Sequence, residues 1–328
     1  MVESKENKYI EILLLVLLFA ATAIVGLLRF GTSFPDFPDS EKYLTLVDFF
    51  RGLVPMSETA PPFNYRILLP GIVSILPLDP EITIPAINFV LLFPLAFVMY
   101  RIARHFGYDM FPSVVAAGLC MVSPPVLIYG TGVLVETPFI LCLAIGIYGI
   151  LRSWKWQYIA IITAVGVLFK ETAIILVLVH LVTTLVSGSD WKHSIYIGLI
   201  AGTSHLLARL ALSASAGGSG WVWPFTLSNL FLRPWITLEA IILSFVLIIA
   251  PIIMALILRN RDATRFKEAK DWFLYAAIPL SGLAWVAFFL AYFTMRFIWP
   301  MYLGLLPLIA FGVQEFLRVI FRRDVTAS

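Results

Sequence analysis

Long apolar runs recur along the whole chain and constrain its fold more than any other feature. The first run extends from Ile12 to Leu28, and others of similar length follow towards the C-terminus. A helix needs about 20 apolar residues to cross a bilayer, whereas a membrane β-strand alternates over about ten. Only 13% of the residues are charged and 60% are hydrophobic, against about a quarter charged in soluble domains. We therefore predict an all-α integral membrane protein.

The apolar runs predict about ten transmembrane helices in a single domain, 1–328, with no separate soluble domain. The N-terminal run resembles a signal peptide, but it continues past the small residues at 21–23, which favours an uncleaved first span. Pro124 and Pro125 should break the third span near its far end. The predicted crossings are 9–29, 82–101, 111–129, a fourth that ends at Arg152, two arms within 156–187, one that ends near Leu212, 237–258, 272–292, and a last that ends at Arg318.

Basic residues assign an orientation to this arrangement. Most of the 23 Lys and Arg residues fall on the side of the N-terminus, and cytoplasmic loops carry an excess of these residues. We therefore predict a multi-pass protein of the cell membrane with both termini in the cytoplasm. The external loop and interfacial helix region, 31–80, then faces the extracytoplasmic side, and we expect the active site there.

Metal and redox chemistry receive little support from the residues that usually perform them. Cys120 and Cys142 both lie inside predicted spans, so a disulfide framework or a redox pair is not indicated. The four histidines show no metal-binding spacing. No nucleic-acid partner is predicted, because the basic residues follow the topology and form no patch.

Two aspartates directly after the first span, Asp36 and Asp39, are the candidate catalytic residues. A carboxylate there could act as general base towards an acceptor hydroxyl, which is too weak an acid to attack unaided. The alternative is an Asp/Pro turn, since both residue types are common in turns. Tyr43 follows Asp39 by one helical turn and could line the same pocket, whereas Asp48 is interpreted as a solvated helix residue.

Three cations, Arg66, Lys170 and Arg296, are candidates for binding a phosphate. An arginine fork suits phosphate, and a cation at membrane depth usually has a partner or a role. Snorkelling or anchoring at a helix end is the alternative for both arginines. Lys170 and Glu171 separate two short apolar arms, so we expect them at the tip of a thin hairpin near headgroup depth. Because adjacent residues do not face each other on a helix, these two need not neutralise one another.

Further polar and aromatic residues on the same predicted side are candidates for substrate binding. Glu136 fits this role or that of an acidic residue at a helix start. Trp221 and Trp223 could stack on a sugar ring or belong to the interfacial aromatic belt. His205, near the outer end of a span, is a minor candidate. The substrate-binding set is Tyr43, Tyr65, Glu136, Glu171, Trp221 and Trp223.

Five features in order along the chain resemble the GT-C superfamily, the polytopic glycosyltransferases that use polyprenyl-phosphate-linked sugars. They extend over most of the sequence and are most similar to the mannosyltransferase-like branch. Each feature is weak by itself, and the resemblance depends on their order along the chain and on their location on one predicted side of the membrane. The features are Asp39 ahead of Tyr43, the segment PFNYRILLP at 62–70, Glu136-Thr137 at the start of a span, Lys170-Glu171-Thr172, and Arg296-Phe297 followed by Pro300 and Pro307.

The resemblance implies a GT-C-like fold and an inverting transfer to an acceptor hydroxyl on the extracytoplasmic face. Asp39 or Asp36 would deprotonate the acceptor, and Arg66, Lys170 or Arg296 would bind the leaving phosphate. The implied partners are a polyprenyl-phosphate-sugar donor, an acceptor that is a glycolipid, a glycan or a protein, and the bilayer. The resemblance assigns no certain cofactor, and a divalent cation is left open because Glu136 stands where some members carry an Asp or a paired acidic motif.

Two other classes of function remain open at this point. A secondary transporter of a small or lipid-linked substrate would also be polytopic, but transporters favour internal repeats and ionisable groups near the bilayer midplane. The sequence shows no internal repeat, and its charged candidates cluster on one side. A non-catalytic membrane scaffold is the third possibility.

Overall fold

A computed structural model describes residues 5–30, 38–59, 62–213, 234–282 and 295–323 of the chain. Every regular element in these ranges is helical, which confirms the all-α prediction. The α-helices are α1 (Lys5–Arg29), α2 (Pro38–Phe50), α3 (Leu68–Ser74), α4 (Pro80–His105), α5 (Met110–Met121), α6 (Pro124–Tyr129), α7 (Glu136–Leu151), α8 (Trp156–Phe169), α9 (Ile175–Ser187), α10 (Lys192–Ser213), α11 (Pro234–Phe245), α12 (Ile249–Ile257), α13 (Ala263–Trp272) and α14 (Met301–Arg323).

Several of these helices are long and apolar enough to cross a membrane, as expected of a multi-pass membrane protein. Four qualify singly, in α1, α4, α10 and α14, and the bent pair α11–α12 would make a fifth. The predicted number of ten is not confirmed. Four further apolar helices have only 10–17 residues, less than the 20 or so that a full crossing needs. The prediction from hydropathy counted these short helices as full crossings.

The longest helix, α4, lies at the centre of the described fold and packs against α1, α5 and α7. α8 continues the packing from α7 to α10, and α14 packs against α5 and α12. The last contact is very close: the carbonyl oxygen of Pro251 leaves no room for a Cβ atom on Gly312. Only glycine permits the backbones of α12 and α14 to approach in this way.

Breaks in the helices occur where the sequence predicts them. α5 ends at Met121 and α6 begins at Pro124, a position where proline needs no hydrogen-bond partner for its nitrogen. The turn between α6 and α7 is then tied to α4 by Asn88, whose amide donates to the carbonyls of Gly132 and Leu134 at 2.8 and 2.9 Å. This turn carries the first residue of α7, Glu136, into the interior.

The region 31–80 contains two helices that pack on each other, α2 and α3. The predicted interfacial helix is short and covers Leu68–Ser74. Arg51, directly after α2, donates to the carbonyls of Ser74, Leu76 and Leu78 at 3.4, 2.9 and 2.7 Å. These bonds satisfy carbonyls at the end of α3 and in the turn that follows it, and they join the ends of the two helices.

The break in the predicted hairpin is also present, but its environment differs from the expectation. α8 ends at Phe169, Lys170 is extended, and a 3-10 turn at Glu171–Ile174 leads into α9. Lys170 is only 5% exposed, so it does not protrude from a thin tip. Its ammonium group instead pairs with the carboxylate of Glu136 at the start of α7.

Candidate active site

Four side chains that are far apart in the sequence form a chain of alternating charge. Arg296 Nη1 lies 2.5 Å from Asp39 Oδ2 and 3.4 Å from Glu136 Oε1. Lys170 Nζ donates to the same Glu136 oxygen at 2.8 Å. Glu136 therefore connects the two cations, and Arg296 connects the two carboxylates.

A second group lies beside this chain and is centred on Arg66. Its guanidinium binds Glu171 through two parallel bonds, Nε to Oε2 at 2.9 Å and Nη2 to Oε1 at 2.6 Å. Its Nη1 donates to the Tyr43 hydroxyl at 2.7 Å. The Phe63 ring contacts both Arg66, at 5.2 Å, and Tyr43, at 5.5 Å. Because this fork is fully engaged, Arg66 is held in one orientation.

Every charged member of the two groups lies at a helix end or in a turn. Asp39 is in the first turn of α2, and Glu136 is the first residue of α7. Carboxylates are favourable at these positions because helix N-termini carry a partial positive charge. Lys170 follows α8, and Arg296 lies in a 3-10 turn, Met295–Phe297, before α14. The cluster thus forms where the ends of several helices meet.

The cluster is largely buried, which sets its electrostatics. Glu136 is 1% exposed and Arg66 7%. Burial by itself would lower the pKa of Arg66, but the Tyr43 oxygen and the Glu171 carboxylate raise it above the ordinary value. Burial opposes the charge of Arg296 in the same way, and Glu136 and Asp39 raise its pKa. Burial raises the pKa of the Tyr43 hydroxyl, so this group remains a neutral donor or acceptor.

The charges in this cluster balance, and two of its polar atoms are left without partners. Three carboxylates face three cations. Within the described ranges, Glu136 Oε2 and Arg296 Nε are buried and have no hydrogen-bond partner. Buried ion pairs contribute little net stability, because desolvation offsets their attraction. An arrangement of this kind is therefore a candidate for function, and its two unpartnered atoms leave capacity to bind a polar substrate.

The structure brings seven of the predicted site residues together and leaves others elsewhere. Tyr65 is buried, and its ring contacts His205 and Arg209 on α10. Asp36, Trp221 and Trp223 lie outside the described residues. Asp48 is partly exposed, in line with its interpretation as a solvated residue. The seven that meet are Asp39, Tyr43, Arg66, Glu136, Lys170, Glu171 and Arg296.

Sequence reasoning missed one residue beside this cluster, Arg209 on α10. Its guanidinium lies 4.8 Å from the centre of the Tyr65 ring, and the His205 ring lies 6.1 Å from the same centre. α10 also contacts the turn Phe63–Tyr65 and the turn Glu171–Ile174. The spacing of His205 and Arg209 by four residues, which places both on one helix face, is the signal that could have revealed this pair.

A divalent cation has no evident ligand set in the described part of the chain. No group of three or more His, Cys, Asp or Glu residues there could hold a metal ion. The two carboxylates of the alternating chain, Asp39 and Glu136, are bridged by a guanidinium.

No known protein-family model matches this chain, and no curated protein matches it either. Its class therefore follows from its own fold and site. It is an all-helical protein with several apolar helices that could span a membrane and with a buried ion cluster where the ends of several helices meet.

Proposed function

We propose that the protein is a membrane glycosyltransferase that transfers a sugar from a polyprenyl-phosphate donor to an acceptor hydroxyl. The observation that carries this proposal is the contact between Asp39 and Arg296 at 2.5 Å. A general base and a phosphate-binding cation are the minimum for this chemistry. Here they touch, and a second cation, Lys170, is one carboxylate away. The proposed site lies on the extracytoplasmic side, as the basic residues predict.

Donor binding would replace the Asp39 carboxylate by the donor phosphate as the partner of Arg296. A phosphate accepts two parallel bonds from a guanidinium as well as a carboxylate does, so the donor phosphate competes with Asp39 for Arg296. Once Arg296 turns to the phosphate, the Asp39 carboxylate is free to accept a proton. Lys170 and Glu136 keep Arg296 within reach, since Glu136 contacts both cations.

The transfer step then needs no general acid. The acceptor O–H gives its proton to Asp39, and its oxygen forms a bond to the anomeric carbon from the face opposite the phosphate. The bond between the anomeric carbon and the phosphate oxygen breaks, and its electron pair leaves with the phosphate. Arg296 and Lys170 stabilise the charge that develops there. The sugar configuration inverts.

Sugar transfer in reconstituted liposomes tests the proposal. The donor probe is a polyprenyl-phosphate mannose, and a membrane lipid and glycan extract supplies acceptors. We expect Asp39→Asn to reduce donor consumption by about 10²–10⁴-fold, because a general base contributes on that order. Asp48→Asn, on the same helix and partly exposed, is the matched control and should retain activity. Wild-type rates in Asp39→Asn would refute the role of this base.

A secondary transporter is the second candidate, because buried ionisable residues of membrane proteins also form ion relays. In liposomes, a transporter would move its substrate along an imposed gradient, whereas an enzyme consumes donor lipid without one. A scaffold would do neither, and Asp39→Asn would leave its phenotype unchanged. Mass spectrometry of lipid-linked sugars in cells with and without the gene distinguishes an enzyme from both.

A further inference from the structure

Within the described part of the chain, Arg209 differs from the other cations beside the site because it has no acidic partner. Arg66, Lys170 and Arg296 each contact a carboxylate. Among the described residues, Arg209 makes no ion pair and is exposed. An anion that binds one of the three paired cations must displace a carboxylate or share its cation. An anion that binds Arg209 displaces none.

A fixed aromatic surface holds this unpaired cation in place. The Tyr65 ring lies under the guanidinium at 4.8 Å, and Tyr65 itself is 9% exposed. A cation over an aromatic face is attracted by the negative face of the ring. The guanidinium edge, with its donors, is thereby left free to bind a ligand.

His205 adds a second polar group on the same face of α10. It precedes Arg209 by one helical turn, and its ring packs edge-on against Tyr65 at 6.1 Å. Its Nδ1 is buried and has no hydrogen-bond partner in the described ranges. An imidazole nitrogen and a guanidinium thus lie against the same ring, and both groups can donate to oxygen acceptors.

The helix around these two groups is strongly apolar and exposed. Leu206, Leu207 and Leu210 are 54%, 62% and 61% exposed. α10 is one of the helices long enough to cross a membrane, so these leucines suit contact with hydrocarbon. A ligand with an anionic head and an apolar chain matches both parts of this surface.

We propose that Tyr65, His205 and Arg209 form a binding site for the phosphate of a membrane lipid whose hydrocarbon chain lies along α10. This inference rests on the proposed function only for its choice of lipid, a polyisoprenyl phosphate. The site adjoins the ion cluster, because Tyr65 is followed directly by Arg66 and α10 contacts the turn that holds Glu171. A phosphate bound here lies beside the cluster and leaves the ion pair of Asp39 and Arg296 intact.

Binding by the full-length protein in phosphatidylcholine nanodiscs tests this site. The probes are a short isoprenyl phosphate without a sugar, phosphatidylglycerol and inorganic phosphate, each titrated by calorimetry. We expect Arg209→Gln to weaken binding of the isoprenyl phosphate by about tenfold or more, since a charged hydrogen bond is lost. Arg261→Gln removes another exposed arginine, far along the chain, and should leave the affinity unchanged.

Tyr65→Leu provides an independent variant, because it removes the ring that positions the guanidinium and keeps the charge. It should also weaken binding, by a smaller factor than Arg209→Gln. Size-exclusion chromatography and thermal unfolding verify that both variants are folded. Phosphatidylglycerol that binds as tightly as the isoprenyl phosphate, with the same loss in Arg209→Gln, supports a site for lipid phosphate in general and overturns the preference for an isoprenoid.

Three results would overturn the proposal. They are equal affinity in Arg209→Gln and the wild type, an equal loss in Arg261→Gln, and inorganic phosphate that binds as tightly as the lipid. The probe has no sugar, so binding is measured without turnover. If the wild-type protein transfers no sugar but binds the lipid in a way that depends on Arg209, the proposed function is refuted and this site is supported. Transfer that is unaffected by Arg209→Gln, with unchanged binding, would refute this site alone.

Discussion

Helix α14 has an ion cluster near each end, and the two clusters are built differently. Arg296, just before α14, belongs to the buried site cluster with Asp39, Glu136 and Lys170. About 20 Å further along, at 1.5 Å per residue, lies a distal cluster of ion pairs. Its members are Asp262, Arg265, Glu315 and Arg318.

Sequence distance separates the two clusters clearly, and exposure separates them in part. In the distal cluster Asp262, Arg265 and Arg318 have side chains that are 26–35% exposed, although Glu315 is 2% exposed, and two of its pairs join residues three positions apart. In the site cluster Glu136 and Lys170 have side chains that are 1% and 7% exposed and are 34 positions apart in the sequence. Exposed local pairs contribute about 0–1 kcal/mol each.

This difference is the reason to expect a function at the site cluster. Pairs that include a partly exposed side chain form at little cost, and each distal pair has at least one side chain that is 26–35% exposed. Buried charges are costly to desolvate, and apolar residues of similar size would often stabilise the fold as well or better. We therefore expect the site cluster to be sensitive to loss of one charge and the distal cluster to be tolerant.

Removal of the shared carboxylate should have the largest effect. Glu136→Gln leaves Lys170 without its buried partner and weakens the support of Arg296, so we expect the free energy of unfolding to fall by about 3–5 kcal/mol. Asp262→Asn in the distal cluster should change it by less than about 1 kcal/mol. Unfolding in mixed detergent micelles measures both, and equal small changes would remove the distinction between the clusters.

Replacement of the fork at Arg66 should have an intermediate effect. Arg66→Lys keeps the charge but cannot maintain both parallel bonds to Glu171 and the bond to Tyr43. We expect a loss of about 1.5–3 kcal/mol. Arg318→Lys, at a side chain that is 35% exposed, is the matched control and should stay within about 0.5 kcal/mol. A similar loss in both variants would contradict a special role for the fork.

Removal of both partners of the buried pair should be milder than removal of one. In the double variant Glu136→Met/Lys170→Met no lone charge remains between α7 and α8, so most of the stability lost in Glu136→Gln should return. Sugar transfer should nevertheless stay low, because the second phosphate-binding cation is gone. The same unfolding and transfer assays report these two outcomes. Restored transfer together with restored stability would show that the pair is purely structural.

Salt should have the smallest effect and should act on one cluster only. Between about 0.1 and 1 M salt the screening length falls from about 10 to 3 Å, which weakens exposed pairs far more than buried ones. The small cost of Asp262→Asn should therefore vanish at high salt, while the cost of Glu136→Gln persists. Unfolding measured at both concentrations tests this, and a cost of Glu136→Gln that disappears with salt would place the pair in contact with solvent.

Several site residues were predictable because their chemistry stands out against an apolar sequence. Asp39, Arg66, Lys170 and Arg296 are charges beside long hydrophobic runs, and such charges usually have a partner or a role. Their partners were not predictable. Lys170 pairs with Glu136, 34 positions earlier, and Arg66 pairs with Glu171, 105 positions later.

Arg209 shows a second limit of sequence reasoning. In the sequence it is one basic residue near the end of an apolar helix, where snorkelling is the ordinary explanation. Its position over the Tyr65 ring depends on how α10 packs against the turn Phe63–Tyr65. No local pattern reports that packing.

The sequence by itself determined the helical, membrane-type character of this protein, the break at Pro124 and the side-chain types available for chemistry. Hydropathy is a sum over neighbouring residues, so it can be read without a fold. It did not determine how many helices are long enough to cross, since short apolar helices such as α7 score like full spans. Only the tertiary structure decided which charge faces which, because an ion pair depends on the few ångströms between helix ends that are distant in the chain.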